Sequence, residues 1–213
     1  MRISVFGATG MGGTAIVEEA LDRGHTVTGV SRSPESLTPH DRLDVRALDL
    51  THPTELAPLF TDTDVAVLTL RFAPGDEHLL APTTERFLDA AAEMGARLVV
   101  VGGAGALRSP SRPGLLVLDD PEYVATPWRP LARAGLDQLR TCERHPYDGW
   151  VYLSPPALFE QGPRTGAYLR GTALLLTDSE GVSRITSGDL TIAVVDEIEI
   201  PGGERHITVV RTG

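Results

Sequence analysis

Val5-Phe6-Gly7-Ala8-Thr9-Gly10-Met11-Gly12-Gly13 is the stretch on which the fold turns. Before it, Arg2–Phe6 alternates and is β-prone. After it, Ala15, Ile16, Ala20 and Leu21 recur at helical spacing up to Gly24, a residue suited to closing a helix. Strand, tight glycine turn and helix make the first half of a βαβ unit of the dinucleotide-binding kind. Each glycine has its own reason. Gly7 lets the chain turn sharply off the strand, and Gly10 removes a Cβ where the backbone approaches a pyrophosphate. Gly13 lets the helix pack close to the sheet, so that the free N–H groups of its first turn, beside Thr9, Met11 and Gly12, face the anion. The spacing is Gly-x-x-Gly-x-x-Gly rather than Gly-x-Gly-x-x-Gly. The bland alternative is a tight turn that binds nothing.

Outward from this turn the chain alternates strand and helix. Strands are expected at Thr26–Val30, Asp44–Leu48, Asp64–Leu70, Arg97–Val101, Trp150–Leu153 and His206–Val210. Helices are expected at 53–60, Glu77–Met94, Arg129–Arg144 with Pro130 in its first turn, and Asp189–Glu199 capped by Ser187. Largely apolar strands alternating with helices are what a buried parallel sheet requires. Residues 106–128, rich in Pro, Arg and Ser, show no period and read as a surface excursion near the strand ends. Residues 162–184 read as short, turn-rich β segments. No repeat or low-complexity tract divides the 213 residues, so one domain over 1–213 is expected.

A formal charge of −10, with 19 basic against 29 acidic residues, argues against a nucleic-acid or anionic-membrane surface. The one cysteine, Cys142, allows no intrachain disulfide and reads as a small packing residue of a helix. The absence of a long apolar run and of a signal-peptide layout makes a cytoplasmic protein the expectation, as a monomer or small homo-oligomer. All 19 basic residues are arginine. No lysine Schiff base, Walker-type lysine or Tyr-x-x-x-Lys pair can therefore exist. No metal site is expected, since neither His-x-Glu-x-x-His nor Cys-x-x-Cys occurs. Gly-x-Ser-x-Gly is absent too.

Ligands of open α/β sheets lie beyond the carboxyl ends of the strands. Those ends offer Gly7–Gly13, Ser31-Arg32, Asp49-Leu50, Leu68-Thr69-Leu70-Arg71, Gly102–Gly105 and Ser154-Pro155-Pro156-Ala157-Leu158-Phe159. An acid after the second strand would accept from a free ribose 2′-OH. Arg32 beside Ser31 suits a 2′-phosphate instead, and so favours NADP(H); a solvated loop arginine is the alternative. Asp49 could accept from an adenine amino group or simply cap its turn. Arg71 could hold cofactor phosphates or a substrate carboxylate, or could pair with Asp76 or Glu77. His78 and His206 read as surface or packing residues.

Several of these stretches together resemble a known group. They are Gly7-Ala8-Thr9-Gly10-x-x-Gly13, Ser31-Arg32, Val101-Gly102-Gly103-Ala104-Gly105, Trp150–Ala157, Arg164-Thr165-Gly166-x-Tyr168 and Ser183-Arg184-Ile185-Thr186. The chain is similar over essentially its whole length to the atypical short-chain dehydrogenase/reductases of the NAD(P)H-binding, NmrA-like group, near biliverdin reductase B and flavin reductases. The resemblance implies an α/β fold: a single Rossmann-type, doubly wound, mostly parallel sheet, with a small C-terminal substrate-covering region at about 154–185. It implies NADP(H) across the strand ends, held by Gly7, Thr9–Gly13, Ser31, Arg32, Asp49, Leu50, Leu68–Arg71, Gly102, Gly103 and Ser154–Ala157. A small-molecule substrate would lie over the nicotinamide, near Arg71, Gly105 and Phe159. The biliverdin-reductase branch has a serine and a histidine at the positions that Gly105 and Ala157 occupy here, and this chain lacks both groups.

The expected activity is an NADPH-dependent reduction of a flat conjugated acceptor such as a flavin or quinone, which needs positioning more than an acid. Should a proton donor exist, Thr69, Ser154 and Tyr123 are the candidates. The other readings are a redox-neutral epimerase or cyclase that retains NADP, and an NADP(H)-binding redox sensor acting on a partner protein.

Overall fold

The computed structural model describes residues 1–52 and 55–212. Its main sheet has 8 strands: β1 (Arg2–Phe6), β2 (Thr26–Ser31), β3 (Leu43–Ala47), β4 (Val65–Leu68), β5 (Arg97–Val101), β6 (Trp150–Ser154), β8 (Tyr168–Gly171) and β10 (His206–Arg211). Their order is β3-β2-β1-β4-β5-β6-β10-β8. All neighbours run parallel except β8, which pairs antiparallel with β10 at one edge. The central strands are buried on both faces, as β4 shows with Val65, Ala66, Val67 and Leu68 all inaccessible. That double burial explains why they read as apolar runs rather than as alternations.

Two helix layers cover the sheet. Helices α1 (Met11–Asp22) and α4 (Ser187–Glu199) pack together on one face, over a core that includes Ile3, Val5, Ile16, Val99, Leu153 and Val194. Helices α2 (Leu80–Met94) and α3 (Arg129–Arg144) pack together on the other, over Phe6, Phe60, Phe87, Leu98 and Tyr152. Phe6 and Phe87 meet edge to face at 4.6 Å between ring centres, a geometry that suits their quadrupoles. Cys142 lies wholly inside this second layer, and burial pushes its thiol up to about 12. The two layers make the doubly wound architecture.

Several sequence expectations shift in detail. Of the helix expected at 53–60, Ala57–Phe60 forms a single 3-10 turn, and residues 53 and 54 lie outside the described residues. The helix expected from Glu77 opens with a 3-10 turn at Glu77–Leu79 before α2 proper. The strand expected to Leu70 leaves the sheet after Leu68, which frees Thr69 and Leu70 for the loop. Thr186, not Ser187, caps α4: its hydroxyl accepts from the Asp189 N–H at 3.1 Å.

Residues 106–128 are not merely a surface excursion. Leu107, Val117, Leu118, Ser109 and Asp120 are buried, and Asp120 accepts from Ser109 Oγ at 2.7 Å. The Arg108 N–H donates to Ala173 O at 2.7 Å, and Leu175 donates back to Arg108 O at 3.0 Å. The excursion is thereby stitched to residues 173–175 of the C-terminal region. That region adds a small parallel pair, β7 (Leu158–Glu160) with β9 (Arg184–Thr186). Together they flank the carboxyl end of β6.

Candidate cofactor and substrate site

The turn after β1 is held from beneath: the Gly7 and Ala8 N–H groups both donate to Val30 O, at 2.9 and 3.2 Å. Gly7 has φ +89°, and a Cβ there would run into Thr69 O. A Cβ on Gly13 would strike Gly7 O and come within 2.9 Å of Ala8 Cα. Glycine at these two positions is required by the fold alone. Gly10 is different. Its backbone is extended (φ −73°, ψ 165°), a conformation open to any residue, and a Cβ would meet only Gly7 O at 3.3 Å. A Cβ on Gly12 would make ordinary contacts at 3.5 Å with Phe159 Cζ and Thr69 Oγ1. Neither backbone nor packing requires glycine at 12, and at 10 the backbone is permissive and the one contact, though tight, is 3.3 Å. Among the described residues no side chain caps α1 and no acid occupies its first turn, so no side-chain charge offsets its leading N–H groups. A cradle of this shape fits a pyrophosphate.

At the end of β2, Ser31 Oγ is buried and has no hydrogen-bond partner among the described residues. Such orphans are rare, and this one stands where an adenine ribose would lie. Arg32 is exposed and forms no ion pair with any described residue. Asp49 takes the second of its two readings. Its carboxylate accepts from the Thr51 N–H at 3.0 Å and hydroxyl at 2.7 Å, closing its own turn. Those bonds, the N–H first, hold its carboxyl below the ordinary value, with smaller help from His52 and Arg32. Leu50 and Leu70 rest against the α2–α3 core.

After β4, Leu68 is buried and Thr69 donates its N–H to Phe6 O at 3.0 Å. Arg71 pairs with neither Asp76 nor Glu77; Glu77 instead accepts from the Gly75 N–H at 2.8 Å. The Arg71 guanidinium lies 5.5 Å from the ring centre of Trp128, just before α3. Nothing in the local sequence of either residue advertises this meeting.

After β5, the missing Cβ of Gly102 makes room for the Tyr152 side chain, and that of Gly105 for Ala132 of α3, whose carbonyl oxygen would be 2.7 Å away. The Tyr152 hydroxyl donates to Gly135 O at 2.9 Å, stands 3.3 Å from Gln138 Oε1, and receives the Gly103 N–H at 3.4 Å. Burial raises its pKa, with the Gly103 N–H opposing. Gln138 continues the chain to Thr84 Oγ1 at 3.0 Å. This buried network fixes the Gly102-Gly103 loop to both helices of one layer.

After β6, Ser154 is wholly inaccessible, and its hydroxyl is engaged by His206 Nε2 at 2.9 Å. Pro155 and Pro156 are buried. Ala157 packs with Tyr123, Leu107, Val117 and Leu175, and its N–H donates to Ser183 Oγ at 3.2 Å. Phe159 reaches back over Gly12. The structure thus gathers Gly12, Thr69 and Phe159 at one point, with Arg71 two residues from Thr69, and groups Ala157 with Tyr123. Ser154 is turned to a different partner.

Residues 164–168 and 184, which entered the sequence reading only through the resemblance, are firmly anchored. Asp189 accepts from the Thr165 N–H and hydroxyl, both at 2.7 Å, and from the Gly166 N–H at 2.9 Å. Arg164 clasps buried Glu19 of α1 at 2.8 and 3.1 Å, and Tyr168 donates to Asp196 at 2.7 Å. Arg184 and Arg211 both reach the inaccessible carboxylate of Asp178. The spacing Thr186-x-x-Asp189, a helix-capping signature, was the one signal that could have marked Asp189 in advance.

A family model described as NAD(P)H-binding matches residues 7–198. The uncharacterised protein YwnB of Bacillus subtilis is 32% identical over 205 residues, which cover 94% of this chain and 93% of that one. A Streptococcus pneumoniae structure, provisionally named an NADH-flavin reductase, has a TM-score of 0.89 at 30% identity and covers 100% of both chains. A Bacteroides thetaiotaomicron structure, provisionally named an epimerase, has a TM-score of 0.89 at 29% identity, covering 100% of this chain and 97% of that one. With the glycine turn, the sheet order and the family match in place, the chain belongs to the NAD(P)H-binding, NmrA-like group of atypical short-chain dehydrogenase/reductases.

Proposed function

We propose that the protein is an NADPH-dependent reductase of flat conjugated acceptors, with flavins and quinones as the leading classes. The observation that carries this reading is the meeting of Gly12, Thr69 and Phe159. It supplies an aromatic edge and one neutral hydroxyl beside bare backbone. A bound nicotinamide supplies hydride. The chain's own residues orient and shield. Gly10 and the first turn of α1 hold the pyrophosphate, and Ser31 and Arg32 hold a ribose 2′-phosphate. Phe159 and Thr69 border the reacting ring. A conjugated acceptor delocalises the charge it gains and takes its proton from solvent, whereas a ketone would demand a donor at the developing alkoxide. Ser154 is a poor donor, being inaccessible and bonded to His206.

Following NADPH and NADH oxidation against flavins, quinones and aldehydes tests the proposal. Turnover of a flavin or quinone, with NADPH preferred, is expected. Substituting Thr69, Ser154 and Tyr123 singly should leave most of that turnover. A fall of several hundredfold at one of them, about 3 kcal/mol of barrier, would reveal a proton donor and overturn the mechanism. The likeness to the Bacteroides thetaiotaomicron protein favours a second reading, a redox-neutral epimerase that retains its cofactor. Product formation without net NADPH oxidation would select it.

A further inference from the structure

We propose that Arg71 and Trp128 form a subsite for a negatively charged group on the acceptor, so that the substrates are planar acceptors bearing a phosphate or a carboxylate. The inference rests on the reductase reading and sharpens it.

Arg71 extends the chain that leaves β4, two residues beyond Thr69, and β4 lies on the opposite side of β1 from β2. A dinucleotide across this sheet has its adenine end over β2 and its reacting end over β4 and β5. Arg71 therefore stands on the acceptor's half of the site, while Arg32 stands on the adenine half.

The state of the guanidinium is the second argument. None of its N–H groups hydrogen-bonds a described residue, and no described carboxylate lies within ion-pair distance; the nearby Glu77 is occupied by the Gly75 N–H. It lies instead against the Trp128 ring, 5.5 Å from the ring centre. A cation–π contact leaves the N–H groups uncommitted and available for a bidentate bond to an oxyanion. Trp128 itself is 56% exposed, unusual for so large a ring, and has no core role to account for its position. It limits where the guanidinium can go and presents an apolar surface beside it. On a chain of net charge −10, an arginine without a carboxylate partner among the described residues is a place where an anion can be received. The source of the negative charge is left to chemistry: a phosphate ester and a carboxylate both match the guanidinium edge.

The test compares acceptors that share a ring and differ in charge: FMN against riboflavin, and a carboxylate-bearing naphthoquinone against its methyl ester. The wild type should favour the charged member of at least one pair by roughly tenfold or more in kcat/KM, through KM. In Arg71→Gln that preference should collapse to near unity, Arg71→Lys should restore part of it, and Trp128→Ala should weaken it. The pair that shows the effect identifies phosphate or carboxylate. Arg71 is exposed and hydrogen-bonds no other described residue, so these variants should fold as the wild type does. Wild-type protein indifferent to charge, or equal losses on both members in Arg71→Gln, would overturn the inference while leaving the reductase standing. A raised Kd for NADPH in Arg71→Gln, measured without acceptor, would assign Arg71 to the coenzyme and also overturn it. If no acceptor is reduced, the reductase reading falls. Flavin-fluorescence titration of NADP-loaded protein then decides: tighter FMN than riboflavin binding, lost in Arg71→Gln, upholds the subsite, and equal binding rejects it.

Discussion

Glycine in a phosphate-binding turn can serve the chain or its ligand, and in the proposed site the two roles fall on different residues. Gly7 and Gly13 are fixed by a positive φ and by backbone atoms that a Cβ would strike. Gly10 has extended backbone, and a Cβ there would meet only Gly7 O, at a tight 3.3 Å that a shift of a few tenths of an ångström relieves. Gly10→Val should therefore fold with near-wild-type melting and lose almost all NADPH affinity, whereas Gly13→Val should fail to fold. Normal NADPH affinity in a folded Gly10→Val protein, read by calorimetry, would remove the cradle from the proposed site. Arg32 permits a sharper test, because only one of the two cofactors has a group for it to meet. Hydrogen bonds to charged partners contribute roughly 1.5–3 kcal/mol, so Arg32→Ala should weaken NADPH about tenfold to a hundredfold. NADH affinity should barely change, and the NADPH effect should shrink as salt rises, since Arg32 is exposed. Equal losses for the two cofactors would contradict a 2′-phosphate contact.

Among the elements, residues 164–168, the proposed cover, are anchored by side chains of the helix they precede. Asp189 is 1% exposed and accepts three hydrogen bonds from Thr165 and Gly166. Asp189→Ala would strand those donors, at a cost of about 3 kcal/mol. Hydrogen exchange and limited proteolysis should then report residues 162–168 opening well before the sheet. Uniform protection in the variant would mean that Glu19–Arg164 and Tyr168–Asp196 suffice. The sequence showed the sheet far better than it showed this cover. Strand β5 and helix α3 have the bounds expected of them because an apolar run ending in glycines, and a helical face opened by Pro130, are local signals. Residues 106–128 carry no period because their order comes from bonds made at a distance, to Ala173 and around Asp120. The same holds within the site. Glycines and strand ends were readable in place, but the Arg71–Trp128 contact and the Ser154–His206 bond join elements far apart in the chain. Gly102 and Gly105 looked like ligand positions, yet their missing side chains accommodate Tyr152 and Ala132.

For the molecule as a whole, acid stability should fall in two separate steps, and the first begins near neutrality. His206 starts β10 and is packed edge-on to Tyr152, 5.6 Å between ring centres, with Nε2 bonded to Ser154. Burial disfavours its charged form and brings its pKa down from the usual 6.5 to about 4. An unfolded chain takes up this proton first as pH drops, so folding weakens from about pH 6.5 and the loss levels off below about pH 4. Between pH 7 and pH 5 this amounts to about 2 kcal/mol, or a fall of roughly 4–8 °C in Tm for a chain of this size. Asp178 supplies the second step. Burial works against its charge, but the Val182 and Glu180 N–H groups with Arg184 and Arg211 outweigh it and hold the carboxyl down to about 2. Its contribution is complete above the ordinary carboxylate range and disappears only as pH approaches 2. The steps separate by mutation. His206→Asn can still meet Ser154 but cannot titrate, so its melting temperature should be nearly flat between pH 7 and pH 5, where the wild type declines, and should then fall with the wild type below pH 4. Parallel declines in the two proteins from pH 7 to pH 5 would place the neutral-range proton uptake on another group and refute the assignment to His206.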